Sequence, residues 1–276
     1  MATILVHIAL IAYAASAAAF LTWLVKPRTW LVRAGRVLLL VGVIVHFAAF
    51  GVSLGVAGAG LGVSAWKGGQ LFSLLAAVTV AGYLVLDFRY ELPVAGAFVA
   101  PFTVAVMVPA HLVESNSRAI APQLTNSMVL FVHVGAAALG TAVLALAFGL
   151  ALLYLASEKQ VKNKRPGRLF ARLPSLELLD RAGYRLAVWG FVFLSLAIAT
   201  GSLVSRESTG ASFPLEPKQA FAVLAWALFA SLIQARLVAG WRGRRVAFLV
   251  VAGFVLLVGT YVGLLSAAPA LHGTAA

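Results

Sequence analysis

The stretch MVLFVHVGAAALGTAVLALAFGLALLYLA, residues 128–156, holds one histidine and no charged side chain. At a rise of about 1.5 Å per residue, a helix of that length exceeds the roughly 30 Å hydrocarbon core of a bilayer. The stretch predicts a membrane-crossing helix that is tilted or runs on beyond the lipid. Seven more apolar windows flank it, at about 3–25, 35–57, 69–87, 93–113, 183–204, 218–240 and 245–266. The expected fold is therefore all-α: a polytopic integral membrane protein of eight transmembrane helices.

Composition points the same way. Of 276 residues, 62% are hydrophobic and only 11% charged, where soluble domains carry about a quarter charged residues. The first 25 residues, MATILVHIALIAYAASAAAFLTWLV, have no basic residue ahead of the apolar run. The run is also too long for a cleavable signal, so it reads as the first span. The chain has no cysteine, which excludes a disulfide framework, a thiolate metal site and any thiol redox step of its own.

The formal net charge of +13 would suggest nucleic acid, but its placement argues for a bilayer. Connections after spans 1, 3, 5 and 7 hold seventeen Lys and Arg residues; those after spans 2, 4 and 6 hold four. Basic residues stay in the cytoplasm, so the first set faces inward and both termini are expected outside. The basic side chains are topology determinants and contacts for anionic lipid, with no nucleic-acid partner implied. The longest inner connection is EKQVKNKRPGRLFARLPSLELLDR, residues 158–181. It reads either as a solvated basic loop with a short surface helix or as a docking site for a cytosolic partner.

The five histidines all fall outside the cytoplasmic side in that topology. His7 lies in the outer half of span 1, His46 near the middle of span 2, and His111 at the outer end of span 4. His133 sits about six residues into span 5 and His272 follows span 8. An ionisable side chain inside a membrane is costly and marks a functional candidate, and neutral imidazole is the usual nitrogen ligand of haem iron. His7 fits an interfacial hydrogen bond and His111 a helix C-terminus, where an imidazolium suits the dipole. His46 needs a partner in the bundle or a cofactor. His133 and His272 meet at the outer face if spans 5 and 8 pack together.

Other chemistry is sparse. The eight carboxylates lie outside the spans' interiors and form no pair within one, which argues against a proton relay. No nucleotide loop, HExxH or GxSxG occurs. Glycines in GVSLGVAGAGLGVSAWKGG, residues 51–69, lack the strand–helix setting of a phosphate loop and read as an external loop. No internal repeat or proline-interrupted pair of spans marks a transporter.

Four local patterns carry a resemblance. SAWKGGQLFSLLAAVTVAGYLVLDFRYELPVAGAFVAPF, residues 64–102, resembles the region of CcsA/ResC/CcmC-like cytochrome c assembly proteins that enters the third span and leaves through an E-x-R-Y-like turn. Residues 124–158 are similar to that family's histidine-bearing span, which ends in Y-L-x-x-E. AGWRGRRVAFLVVAGFVLLVGTYVGLL, residues 239–265, resembles its basic turn and last span, and APALHG, residues 268–273, stands where the family has L-H-S-Y. The resemblance covers about residues 40–273. It divides the chain into an N-terminal span and first cytoplasmic loop, 1–34, and an assembly-type helical membrane domain, 35–276.

The family also carries an external W-x-W-D-P-K-E motif before the seventh span, similar to a platform holding haem. Here the stretch reads SFPLEPKQ, residues 212–219. Pro217 and Lys218 match, Phe213 and Leu215 stand near the tryptophan positions, Glu216 at the aspartate and Gln219 at the glutamate. A proline also suits a helix start, so a helix cap is the other reading. Gln234 stands where the family has a histidine late in span 7. This degenerate form is similar to the HemX and YpjD relatives.

The resemblance implies a haem-handling protein that assists cytochrome c maturation in a bacterial inner (cytoplasmic) membrane. Haem b would be held by His133 and His272, with His46 as an inner candidate and Phe213 and Trp66 as external aromatic neighbours. Two imidazoles saturate the iron. The implied partners are haem, apocytochrome c, the lipid bilayer and a second membrane subunit of the assembly system. The chain would be a carrier, at most part of a haem-attachment complex, with no catalytic residue of its own. A HemX-type regulator or scaffold of haem biosynthesis, carrying no haem, is the alternative.

Overall fold

The computed structural model describes residues 1–56, 68–114, 128–163, 173–210 and 217–270. They form eight helices and, among the described residues, no strand. These are α1 (Ala2–Val25), α2 (Thr29–Val56), α3 (Gly68–Tyr90), α4 (Pro93–Glu114), α5 (Met128–Lys162), α6 (Leu176–Thr209), α7 (Pro217–Val238) and α8 (Arg244–Ala270). Among the described residues six helices, α1, α2, α3, α5, α6 and α7, have the length and apolarity to cross a membrane. The apolar segment Pro93–Val108 of α4 is shorter.

Helix ends differ from the expected windows in ways local chemistry explains. Ser175 caps α6, its hydroxyl accepting from the backbone N–H of Leu178, and Gly210 closes the helix with φ +77°. Such caps satisfy end groups that the helix ladder cannot reach. Leu176–Arg181, the end of the long basic connection, is therefore the first turn and a half of α6. α5 has 35 residues, or about 52 Å at the helical rise. It overshoots the bilayer thickness as its apolar run implies. α7 begins at Pro217, the position where proline's missing N–H costs nothing.

Successive helices pair as hairpins: α1 with α2, α3 with α4, α5 with α6, and α7 with α8. α5 is the central element, touching α3, α4, α6 and α8. One core cluster joins α1–α4 and receives Leu146 and Leu150 of α5 and Leu179 and Ala182 of α6. A second joins α5–α8 around Leu144, Leu194, Phe229, Leu232 and Phe254. The division at residues 34 and 35 falls inside α2, and α1 packs on both α2 and α4.

Lipid tails are as apolar as leucine, so helix association there depends on close packing rather than on expulsion of water. The sequence supplies small residues for that purpose. Buried positions of α5 include Ala136, Ala138, Gly140, Ala142, Ala145, Ala147, Gly149 and Ala151. On α1, the Phe20 ring lies against Gly35 of α2 and Gly96 of α4, and Tyr13 against Gly42. Ser16 Oγ donates to the carbonyl of Gly35 at 2.9 Å, a buried inter-helix hydrogen bond.

Basic side chains gather at one end of the bundle and find acids there. Arg36 binds Asp87 through both guanidinium and carboxylate arms, at 2.6 and 3.0 Å. Arg236 does the same with Asp180, at 3.1 and 2.9 Å, and lies 4.1 Å over the Tyr184 ring. Glu158 pairs with Lys162 at 2.7 Å and Glu177 with Arg181. The carboxylates thus fasten the turn-bearing end of the bundle.

Candidate functional site

The histidines of α1, α2 and α5 lie away from that end. His133 lies on the second turn of α5, and its ring rests on α6. Nδ1 is 2.8 Å from the carbonyl oxygen of Ala197. A carbonyl only accepts, so the imidazole proton sits on Nδ1 and the lone pair on Nε2. Thr200 Oγ1 is 3.5 Å from Nδ1, while its own hydroxyl donates to Leu196 O at 2.7 Å. Residue 201 of α6 is glycine, and a β-carbon there would stand 2.8 Å from His133 Cε1.

A small apolar cluster flanks this histidine. Leu130 and Val134 of α5 are buried, with Phe50 of α2, Leu71 and Leu74 of α3 and Val204 of α6 packed on them. Four helices therefore converge around the start of α5. Phe50 also stacks on His46, with ring centroids 5.3 Å apart and planes 15° from parallel. The same cluster thus connects the surroundings of both imidazoles.

His46 is wholly buried. Its Nε2 is hydrogen-bonded to Ser73 Oγ at 2.7 Å, and its Nδ1 to Tyr13 Oη at 3.3 Å. A neutral imidazole donates at one nitrogen and accepts at the other, and hydroxyls can serve either. The bundle partner that a mid-span histidine needs is therefore supplied by α1 and α3. Iron at either nitrogen would require one of these bonds to open.

The remaining sequence candidates separate. His7 is exposed, with Nδ1–H donating to the carbonyl of Thr3 at 2.7 Å. His111 lies in the last turn of α4. Gln234 is exposed on α7, away from that helix's buried stripe of Ala225, Phe229 and Leu232. His272, Phe213 and Trp66 lie outside the described residues, as does most of the SFPLEPKQ stretch. Among the described residues no group of three or more His, Asp or Glu side chains converges on a metal position.

Sequence reasoning overlooked Ser73, Tyr13, Ala197 and Gly201. Ser73 and Tyr13 left a faint signal, since a hydroxyl inside an apolar span needs a partner. Ala197 and Gly201 left none, because a backbone carbonyl and a missing side chain carry no polarity in the sequence.

The profile of the family described as "Cytochrome C assembly protein" matches residues 4–272. It extends to α1, beyond the stretch where motifs alone carry the resemblance. The chain is similar to a "Cytochrome c biogenesis protein CcsA" of Guillardia theta, 28% identical over 207 residues, covering 68% of this chain and 69% of that one. A protein of the same description from Heterosigma akashiwo is 28% identical over 225 residues, covering 69% and 70%. Another, from Trichormus variabilis, is 34% identical over 124 residues, 44% of this chain and 35% of its own length. The chain thus spans about a third of that last relative.

Proposed function

Because the chain belongs to the cytochrome C assembly protein family, we propose that it is a membrane haem-handling protein that presents haem for attachment to apocytochrome c. The observation that carries this reading is the bond from His133 Nδ1–H to the carbonyl of Ala197. Metal-bound histidines characteristically donate their other ring N–H to a carbonyl or carboxylate, which fixes the tautomer and aims the ligating nitrogen. His133 has that arrangement, with Nε2 as the lone-pair nitrogen. The donor set fits haem, which asks the protein for axial nitrogens rather than for a cluster of carboxylates.

In this reading His133 and His272 hold the iron of haem b on the outer side, and Phe213 and Trp66 supply aromatic neighbours. His46 joins them as an inner donor only where Ser73 or Tyr13 releases a ring nitrogen. Haem ligated by two imidazoles is low-spin and has no open position for oxygen. The thioether bonds need cysteines from the apocytochrome, since this chain has none. A partner keeps those thiols reduced, and a second membrane subunit supplies what the chain lacks. The eight helices all span a bacterial inner membrane, with the basic end cytoplasmic and both termini external.

The test is a reduced-minus-oxidised visible spectrum of the detergent-purified protein, beside His133→Ala and His272→Ala. A sharp low-spin spectrum weakened in both variants is expected. Protein that stays haem-free after hemin addition sinks the carrier reading and favours a HemX-type regulator.

A further inference from the structure

The way His133 reaches its carbonyl is unusual for a helix surface. Inside an α-helix the carbonyl of residue i is already bonded to the N–H of residue i+4, so Ala197 O belongs to the ladder through Gly201. A carbonyl has two lone pairs and can take a second donor, but only if that donor can reach it from the side. The side chain at i+4 stands over that approach. Here residue 201 is glycine, and the imidazole occupies the space a side chain would fill. A β-carbon would lie 2.8 Å from Cε1, 3.1 Å from Nδ1 and 3.7 Å from Nε2. Separations under about 3 Å are not tolerated by real carbon atoms, so the ring would have to move.

Thr200 does not substitute for that access. Its hydroxyl donates to Leu196 O at 2.7 Å and stands 3.3 Å from Ala197 O. The ring thus meets a backbone acceptor beside an absent side chain, with a neighbouring hydroxyl already committed to the helix.

We propose that Gly201 is a positioning residue for His133: its missing β-carbon opens the Ala197 carbonyl to the imidazole, which sets the Nδ1–H tautomer and the direction of Nε2. This rests on the reading of His133 as a haem ligand for its consequence, but not for its geometry. Gly201→Ala pushes the ring off α6, breaks the Nδ1–H bond to Ala197 and releases the tautomer. Loss of such an outer partner lowers metal affinity by about 10- to 100-fold in other sites.

Two readouts test it, one of them independent of haem. Nitrogen-15 spectra of histidine-labelled, haem-free protein report the protonated nitrogen, with His133→Ala identifying the resonances. Wild type is expected in the Nδ1–H form and Gly201→Ala in a mixed or Nε2–H form. Hemin titration is then expected to show affinity for Gly201→Ala reduced by about 10- to 100-fold, with Thr200→Val close to wild type. Wild-type protein in the Nε2–H form overturns the proposal even if Gly201→Ala does not fold. So does Gly201→Ala with unchanged tautomer and affinity. Wild type that binds no hemin sinks the carrier reading, while the nitrogen spectra still decide the role of Gly201.

Discussion

His46 Nε2 and Ser73 Oγ lie 2.7 Å apart across the α2–α3 interface, with the imidazole fully buried. Tyr13 of α1 holds the other ring nitrogen at 3.3 Å. Three helices therefore meet on one side chain. Polar contacts inside a membrane bundle average only about 0.6 kcal/mol, but removal of one member leaves the others unsatisfied, which costs about 1–3 kcal/mol.

His46→Ala is accordingly expected to destabilise the bundle by about 2–4 kcal/mol, combining a cavity with two stranded hydroxyls. Ser73→Ala should cost less, about 1 kcal/mol. Thermal unfolding in detergent measures both. The His133-dependent haem spectrum is expected to persist in His46→Ala; its disappearance in a folded variant would make His46 an iron ligand.

At the basic end, Asp180 accepts from both arms of Arg236 and from the backbone N–H of Gly243 at 2.8 Å. Both side chains of the pair are mostly buried. Breaking a buried pair by removing one partner costs about 3–5 kcal/mol, more than the pair's net worth, because a charge is left uncompensated. Arg236→Ala and Asp180→Ala should each lose stability on that scale, and the double variant should lose much less than their sum. Additive losses in a double-mutant cycle would show that the two do not act as a pair.

Gly243 is under two constraints. Its φ is +67°, and a β-carbon would stand 2.6 Å from Tyr154 Oη. Left-handed backbone costs a non-glycine residue about 1–2 kcal/mol, and the clash adds to it. Gly243→Ala should therefore be destabilising, and Tyr154→Phe in the same chain should recover the clash component alone. No recovery in unfolding measurements means that the backbone angle carries the whole effect.

Glycines along the helices are not equivalent. At Gly96 a β-carbon would stand 2.4 Å from Tyr83 Oη and 2.7 Å from Phe20 Cζ, whereas at Gly51 nothing lies within 4 Å. Gly96→Ala should cost about 1–3 kcal/mol by forcing α1 and α4 apart. Gly51→Ala should be neutral or stabilising by up to about 1 kcal/mol, since alanine is the better helix former. Equal effects at the two sites would remove close packing at Gly96 as the cause.

Much of this protein was legible in the order of its residues. Apolar runs separated by basic turns determined an all-helical, membrane-type chain, because backbone groups in lipid must be satisfied within each segment. Gly-Trp-Arg-Gly-Arg-Arg at residues 240–245 marked the turn between the last two helices. The isolated histidines of α2 and α5 stood out for the same reason, as polar groups where the solvent is apolar. What each histidine does was decided only by tertiary structure. His46 and His133 look alike in sequence, each a lone imidazole in an apolar span. Folding gave His46 two hydroxyls from α1 and α3, and gave His133 a backbone carbonyl through the gap at Gly201. Those partners lie 27 to 64 residues away along the chain. Helical periodicity determines which face a side chain occupies within its own helix. The atoms that complete its hydrogen bonds come from whichever helix packs there, and that depends on the shapes of both surfaces at once.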